Sequence, residues 1–181
     1  GLNYITVKMS TFAQDLTTKT MKTQVLLKVW MVALLFVLSA PSMAQGSSDQ
    51  VKTLFVFNFT RYIQWPDASN EIKIGLLGND AEILKAFETM AAKKTTASSK
   101  ITVVQFSNPA EAKNFQMVYI PESNSDALAA VGPLKNTLVI TEKDGLGKKG
   151  SCINFITENG KIRFEINKAR VDNTNLKVSG Q

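Results

Sequence analysis

The chain has 181 residues, with 21 Lys plus Arg against 15 Asp plus Glu for a formal net charge of +6, no histidine and a single cysteine. Those counts exclude an intrachain disulfide and remove the commonest general base and metal ligand. Residues 45–181 hold 17 basic and 14 acidic side chains, a net of +3, and the basic ones are scattered without interleaved aromatics, so no nucleic-acid footprint is expected.

Residues 1–20 show no apolar periodicity and read as an extension upstream of the true start, with Met21 as that start and Met9 as its competitor. From Met21 a positive segment (Lys22, Lys28) runs into an unbroken apolar decamer at 29–38, then the small residues Ser42 and Ala44. This is the pattern of a secretory signal peptide over 21–44. The decamer is too short for a ~30 Å hydrocarbon core, which takes about 20 apolar residues. Cleavage after Ala44 and export to the periplasm are therefore expected, with no membrane embedding afterwards. The new first residue, Gln45, is not the cysteine of a lipoprotein. The remaining 137 residues suit one domain with its own core.

Ser48 and Asp49 offer N-cap oxygens to a helix in which Val51, Leu54, Phe55, Phe59 and Tyr62 recur at three- and four-residue spacing. The helix must stop before Trp65-Pro66. Asn58 lies on that stripe and calls for an internal hydrogen-bond partner. A strand over 72–77 follows, then Gly78-Asn79-Asp80 as turn and cap, then a helix over about 81–92. Polar residues 93–100 read as a loop before the β-branched strand 101–106. Pro109 opens a short helix to about 115. Strand 117–120 stops at Pro121, a helix over 126–131 ends at Gly132-Pro133, and strand 137–140 comes next.

Strand and helix alternating at this spacing imply a mostly parallel sheet with helices on both faces, a three-layer, Rossmann-like α/β fold. The last third changes character. Strands over 153–156 and 161–166 flank Asn159-Gly160, a tight antiparallel hairpin that extends the sheet. Lys161, Arg163 and Glu165 alternate with Ile162, Phe164 and Ile166, giving that strand one wet face.

Each candidate site has a structural counterpart. Gly145, Gly147 and Gly150 spell GxGxxG, but the run precedes a strand instead of opening a helix, and it lacks the Lys-Ser/Thr pair of a P-loop, so it reads as a flexible loop and no cofactor is expected. Lys143, Lys148 and Lys149 place positive charge there, for an acidic partner or simply for solvent. Asn79 and Asp80 sit where open parallel sheets bind ligands, or cap a helix. Trp65 is either a partner anchor or a plug at the end of the sheet. Cys152 is a free thiol at the start of a buried strand, where cysteine behaves as a small apolar residue. With scattered carboxylates there is neither zinc spacing nor a nucleophile–base pair, so a non-enzymatic protein is expected. Trp65, Asn79, Asp80, Lys148, Lys149 and Arg163 remain the candidate partner or ligand contacts.

The segments FNFTRYIQWP, IKIGLLGND, VYIPES and the stretch from NTLVITEKDG through SCINFITENGKIRFEIN to NLKVSG occur in this order. Together they resemble the YfiR/HmsC-like family over essentially all of the exported part. The resemblance implies a small periplasmic α/β protein without enzymatic activity, which restrains a membrane-bound diguanylate cyclase by binding its periplasmic sensor domain and so influences cyclic di-GMP and biofilm formation. It also implies homodimers and redox sensing through disulfides. Cys152, where the family usually carries an apolar residue, has no partner cysteine, which argues against the redox switch here. Family members continue past the LKVS segment with a final apolar helix, which residues 45–181 are expected to lack, so an exposed apolar patch that this helix would cover is expected. The competing class is a periplasmic small-ligand or cell-wall-binding module using the loops after Leu77, Ile120 and Ile140, for which a deep pocket at that edge would speak.

Overall fold

The computed structural model describes residues 44–66 and 70–178. The expectations for 1–20 and for 21–43 of the signal segment lie outside the described residues.

Helix α1 spans Ala44–Tyr62 and leads into the short strand β1, Ile63–Gln64. Strand β2, Glu71–Leu77, is followed by α2, Ala81–Lys94, and β3, Lys100–Phe106. A 3-10 turn over Pro109–Asn114 precedes β4, Met117–Ile120, and a second over Glu122–Ala127 runs into the single-turn α3, Leu128–Val131. Next come β5, Leu138–Thr141, a 3-10 turn over Leu146–Lys149, and the hairpin of β6, Ile153–Glu158, and β7, Lys161–Ile166. The short helix α4, Lys168–Asp172, and β8, Lys177–Val178, end the described chain.

The main sheet has six strands in the order β3-β2-β4-β5-β6-β7, all parallel except β7, which is antiparallel to β6. The chain steps outward from β2 to β3 and then back across β2 to β4. Right-handed crossovers therefore put α2 on one face and the segments before β4 and β5 on the other. Tyr119 of β4 meets Phe87 of α2, with ring centroids 5.0 Å apart, and also Phe155 of β6, which meets Phe55 and Phe59 of α1. So α1 and α2 share a face. On the opposite side a Cβ at Gly75 would lie 2.6 Å from Phe115 and 2.8 Å from Phe106, so only glycine lets those rings close over β2. A separate antiparallel ribbon pairs Ile63 with Val178 and Gln64 with Lys177.

Local chemistry explains the boundaries. Asp80 accepts from the amides of Glu82 and Ile83 at the start of α2, and Asn108 does the same for Ala110 ahead of Pro109. Asn159 and Gly160 adopt the left-handed φ values (52° and 71°) that the β6–β7 turn requires.

α1 departs from its expected form. It already includes Ala44, so Asp49 is interior, its carbonyl accepting from Thr53 Oγ1 at 2.6 Å. The buried stripe is Thr53, Val56, Phe57 and Phe59, whereas Val51, Leu54 and Tyr62 are exposed. Apolar residues lie on more than one side of this helix, and its contacts with both α2 and β7 decide which side turns inward. The segments after Pro109 and Pro121 form mainly 3-10 turns where regular helices are expected, and only Leu128–Val131 closes an α-helical turn.

Candidate functional site

Counted from β2, the parallel strands run 2-1-3-4-5, the doubly wound order in which ligands bind at the carboxyl ends where the order reverses. That point lies between β2 and β4. It is filled by the protein's own side chains. A Cβ at Gly78 (φ 108°) would lie 2.3 Å from Asn124 Oδ1, so the Asn124 amide already rests on the turn after β2.

Beside it, Glu142, directly after β5, collects donors from three parts of the chain. Its Oε2 accepts from Lys52 Nζ of α1 at 2.5 Å and from Tyr119 Oη of β4 at 2.7 Å, and its Oε1 accepts from the Glu122 amide at 2.9 Å. Asp49 adds a second carboxylate 3.6 Å from Lys52 Nζ. The side chains of Glu142, Asp49 and Lys52 are 6, 16 and 18% exposed. Burial pushes the Asp49 carboxyl above its ordinary value against the pull of Lys52, and it pushes the Tyr119 phenol well up, so Tyr119 stays a donor to Glu142. A carboxylate with three donors already in place is an anchor and not a poised base. Lys143 Nζ closes the neighbouring loop by donating to Ser125 Oγ at 3.1 Å.

The residues singled out from the sequence do not converge. Asp80 caps α2 and Asn79 is exposed beside it, both at the carboxyl edge. Lys148 and Lys149 project from the turn between β5 and β6. Trp65 lies at the opposite, amino edge, donating Nε1–H to the Gln116 carbonyl at 3.1 Å and lining a small polar cleft of about 140 Å³ with Lys113, Asn136 and Thr137. Arg163, on the outer strand β7, pairs with Glu158 at 2.8 Å. Cys152 is fully buried, and burial raises its thiol pKa.

The glycine-rich run forms a tethered turn where a flexible loop is expected. Gly145 and Gly150 are left-handed, while Leu146 and Gly147 are buried. Asn167 Nδ2 donates to the Gly147 carbonyl at 2.7 Å, and Arg170 donates to the carbonyls of Gly150 and Gly132, both at 3.1 Å. Nothing in the sequence pattern singled out Glu142, Asn167 or Arg170. Asn58 also departs from expectation: its amide has no hydrogen bond among the described residues and lines an apolar cleft of about 350 Å³ with Phe59, Tyr62, Phe164, Ile166 and Val178. Tyr62, Ile166 and Val178 are 44, 57 and 56% exposed, so an exposed apolar patch is present at this end.

Among the described residues no group of three or more His, Cys, Asp or Glu could hold a metal ion, and no helix is long and apolar enough to cross a membrane. No curated protein matches the chain. The family model described as YfiR/HmsC-like matches residues 49–181, and the chain belongs to that family.

Proposed function

We propose, with that membership as premise, that this protein is a periplasmic regulator working by contact. It binds and restrains a membrane-bound signalling protein of the diguanylate cyclase type, which lowers cyclic di-GMP and biofilm formation. The observation that carries the reading is the family match over 49–181, which takes in nearly the whole described fold. Two features support it. The carboxyl edge, where a ligand-binding module would open, is filled by Asn124 and the Glu142 cluster. Exposed apolar side chains on α1 (Val51, Leu54, Tyr62) and beyond it (Ile166, Val178) supply surface of the kind that protein contacts use.

The signal segment belongs to the same proposal, with cleavage after Ala44 and a mature chain that starts at Gln45. The test is affinity capture from envelope membranes with the tagged chain, alongside cyclic di-GMP measurement in a deletion strain. Co-purification of a membrane cyclase and a rise in the nucleotide are expected. An uncut chain retained in the cytoplasm, or unchanged cyclic di-GMP, refutes the reading.

A further inference from the structure

We propose that the cleft at the amino edge of the sheet binds a phosphate group, as inorganic phosphate or as the phosphoryl end of a small ester. Trp65, Pro66, Lys113, Gln116, Lys135 and Thr137 are among the residues that line its space of about 140 Å³. At ~30 Å³ per water that is room for one tetrahedral oxyanion, and it is well below the roughly 300 Å³ at which pockets begin to enclose whole ligands. The site lies across the sheet from Glu142, and its assignment does not depend on the regulator reading.

Most of the acceptors around this cleft are already taken, while donors remain. The Gln116 carbonyl accepts from Trp65 Nε1 at 3.1 Å and from the Leu138 amide at 2.9 Å. The carbonyls of Phe115 and Lys135 accept from Thr137 Oγ1 at 2.9 and 3.4 Å, which commits that hydroxyl as well. Gln116 Oε1 accepts from the Lys73 amide at 2.9 Å. A main-chain N–H can only donate, so this bond fixes the side-chain amide and leaves Nε2 as its free end. Asn114 and Asn136 can offer either end of an amide, so they do not oppose an anion. Lys113 and Lys135 add two ammonium groups. Neither is in an ion pair among the described residues, and no carboxylate lines the cleft.

Water satisfies free donors on an open surface, so charge and preorganisation must select the anion. Two like charges stand here beside low-dielectric walls, the Trp65 indole, Pro66 and the buried Phe115 ring, an arrangement that concentrates counter-ions. Two of the donors are held before any ligand arrives. Lys135 Nζ rests on the Asn173 carbonyl and Gln116 on the Lys73 amide, so less rotamer freedom is lost on binding. No arginine lines the cleft, so no planar fork is present to match a carboxylate. Lysine acts as a point charge and favours the group with the most charge. A phosphate monoester carries about −1.5 to −2 at neutral pH, more than the single charge of a carboxylate.

Titration of the purified protein with sodium phosphate, glycerol 3-phosphate and sodium acetate, at constant ionic strength set by chloride, tests the assignment. Nitrogen–proton correlation spectra read it at two places, the Trp65 indole N–H, one of two indoles in the chain, and the Gln116 side-chain amide. Saturable shifts of both signals are expected with the phosphates, half-complete in about the millimolar range, and at several times higher concentration with acetate. Whichever phosphate saturates first identifies the free ion or the ester as the ligand. Lys113→Gln and Lys135→Gln should each raise the half-saturation about tenfold, the scale of one hydrogen bond to a charged group. Gln116→Glu keeps an acceptor for the Lys73 amide but adds a negative charge, and should abolish saturation. Lys149→Gln, at the other edge, should change nothing. Shifts that grow without saturating, acetate binding as tightly as phosphate, or half-saturation indifferent to both lysine changes would each overturn the proposal.

Discussion

Replacing Glu142 by alanine tests whether the carboxyl edge is built for support. The substitution removes bonds of 2.5, 2.7 and 2.9 Å and leaves Lys52 and Tyr119 facing an empty space. Tyr119 is 1% exposed, so its stranded hydroxyl cannot reach water and costs about 1–3 kcal/mol. Breaking one side of a buried ion pair costs about 3–5 kcal/mol in total. Lys52, at 18% exposure, can turn its ammonium outward, which places the sum near the lower figure, about 3 kcal/mol. Tyr119→Phe removes only one donor and should cost about 1 kcal/mol. The double variant should cost less than the two single changes added together, because the second removes the hydroxyl that the first strands. Urea denaturation followed by circular dichroism measures all of these. A Glu142→Ala loss below about 1 kcal/mol would refute the reasoning and leave this carboxylate free for a ligand.

The Asp49 carboxyl, raised above 3.8 by burial, favours folding while protonated, and that contribution is lost as pH rises through its folded-state value. Asp49→Asn should therefore flatten the acid-side slope of stability against pH and gain on the wild type as pH rises out of the acid range; parallel curves would refute this. Gly75→Ala drives a methyl into the rings of Phe115 and Phe106 and should cost about 1–3 kcal/mol, read from the urea midpoint. The Cys152 thiol, fully buried with a raised pKa, should resist maleimide or Ellman's reagent in the native protein and react fully in urea, and fast native labelling would contradict its burial.

What the sequence made legible follows the range of the forces involved. The six strands of the main sheet and the Asn159-Gly160 turn are encoded by neighbours along the chain, as is the Asp80 cap, and all were readable, whereas the two-residue strands β1 and β8, which exist only through each other, were not. The inward side of α1 was not, because Val51, Leu54 and Tyr62 are as apolar as Val56 and Phe57, and only the elements packed against the helix choose between them. Glu142 was invisible for a similar reason. Its partner Lys52 is 90 positions away, and no local pattern distinguishes it from any other carboxylate after a strand. The glycine-rich run was legible as a loop but not as a rigid turn, because what tethers it, Asn167 and Arg170, lies beyond the last strand the pattern revealed. The candidate contacts scattered because each was chosen for its own chemistry, and chemistry alone does not say which loops share an edge.

The Arg170 guanidinium holds two carbonyls that belong to different crossovers, Gly132 before β5 and Gly150 after it. One side chain on a five-residue helix thus ties the loop that enters β5 to the loop that enters β6. Both loops should therefore share a common opening event, fraying together whenever α4 lifts away, while the far half of the sheet stays shut.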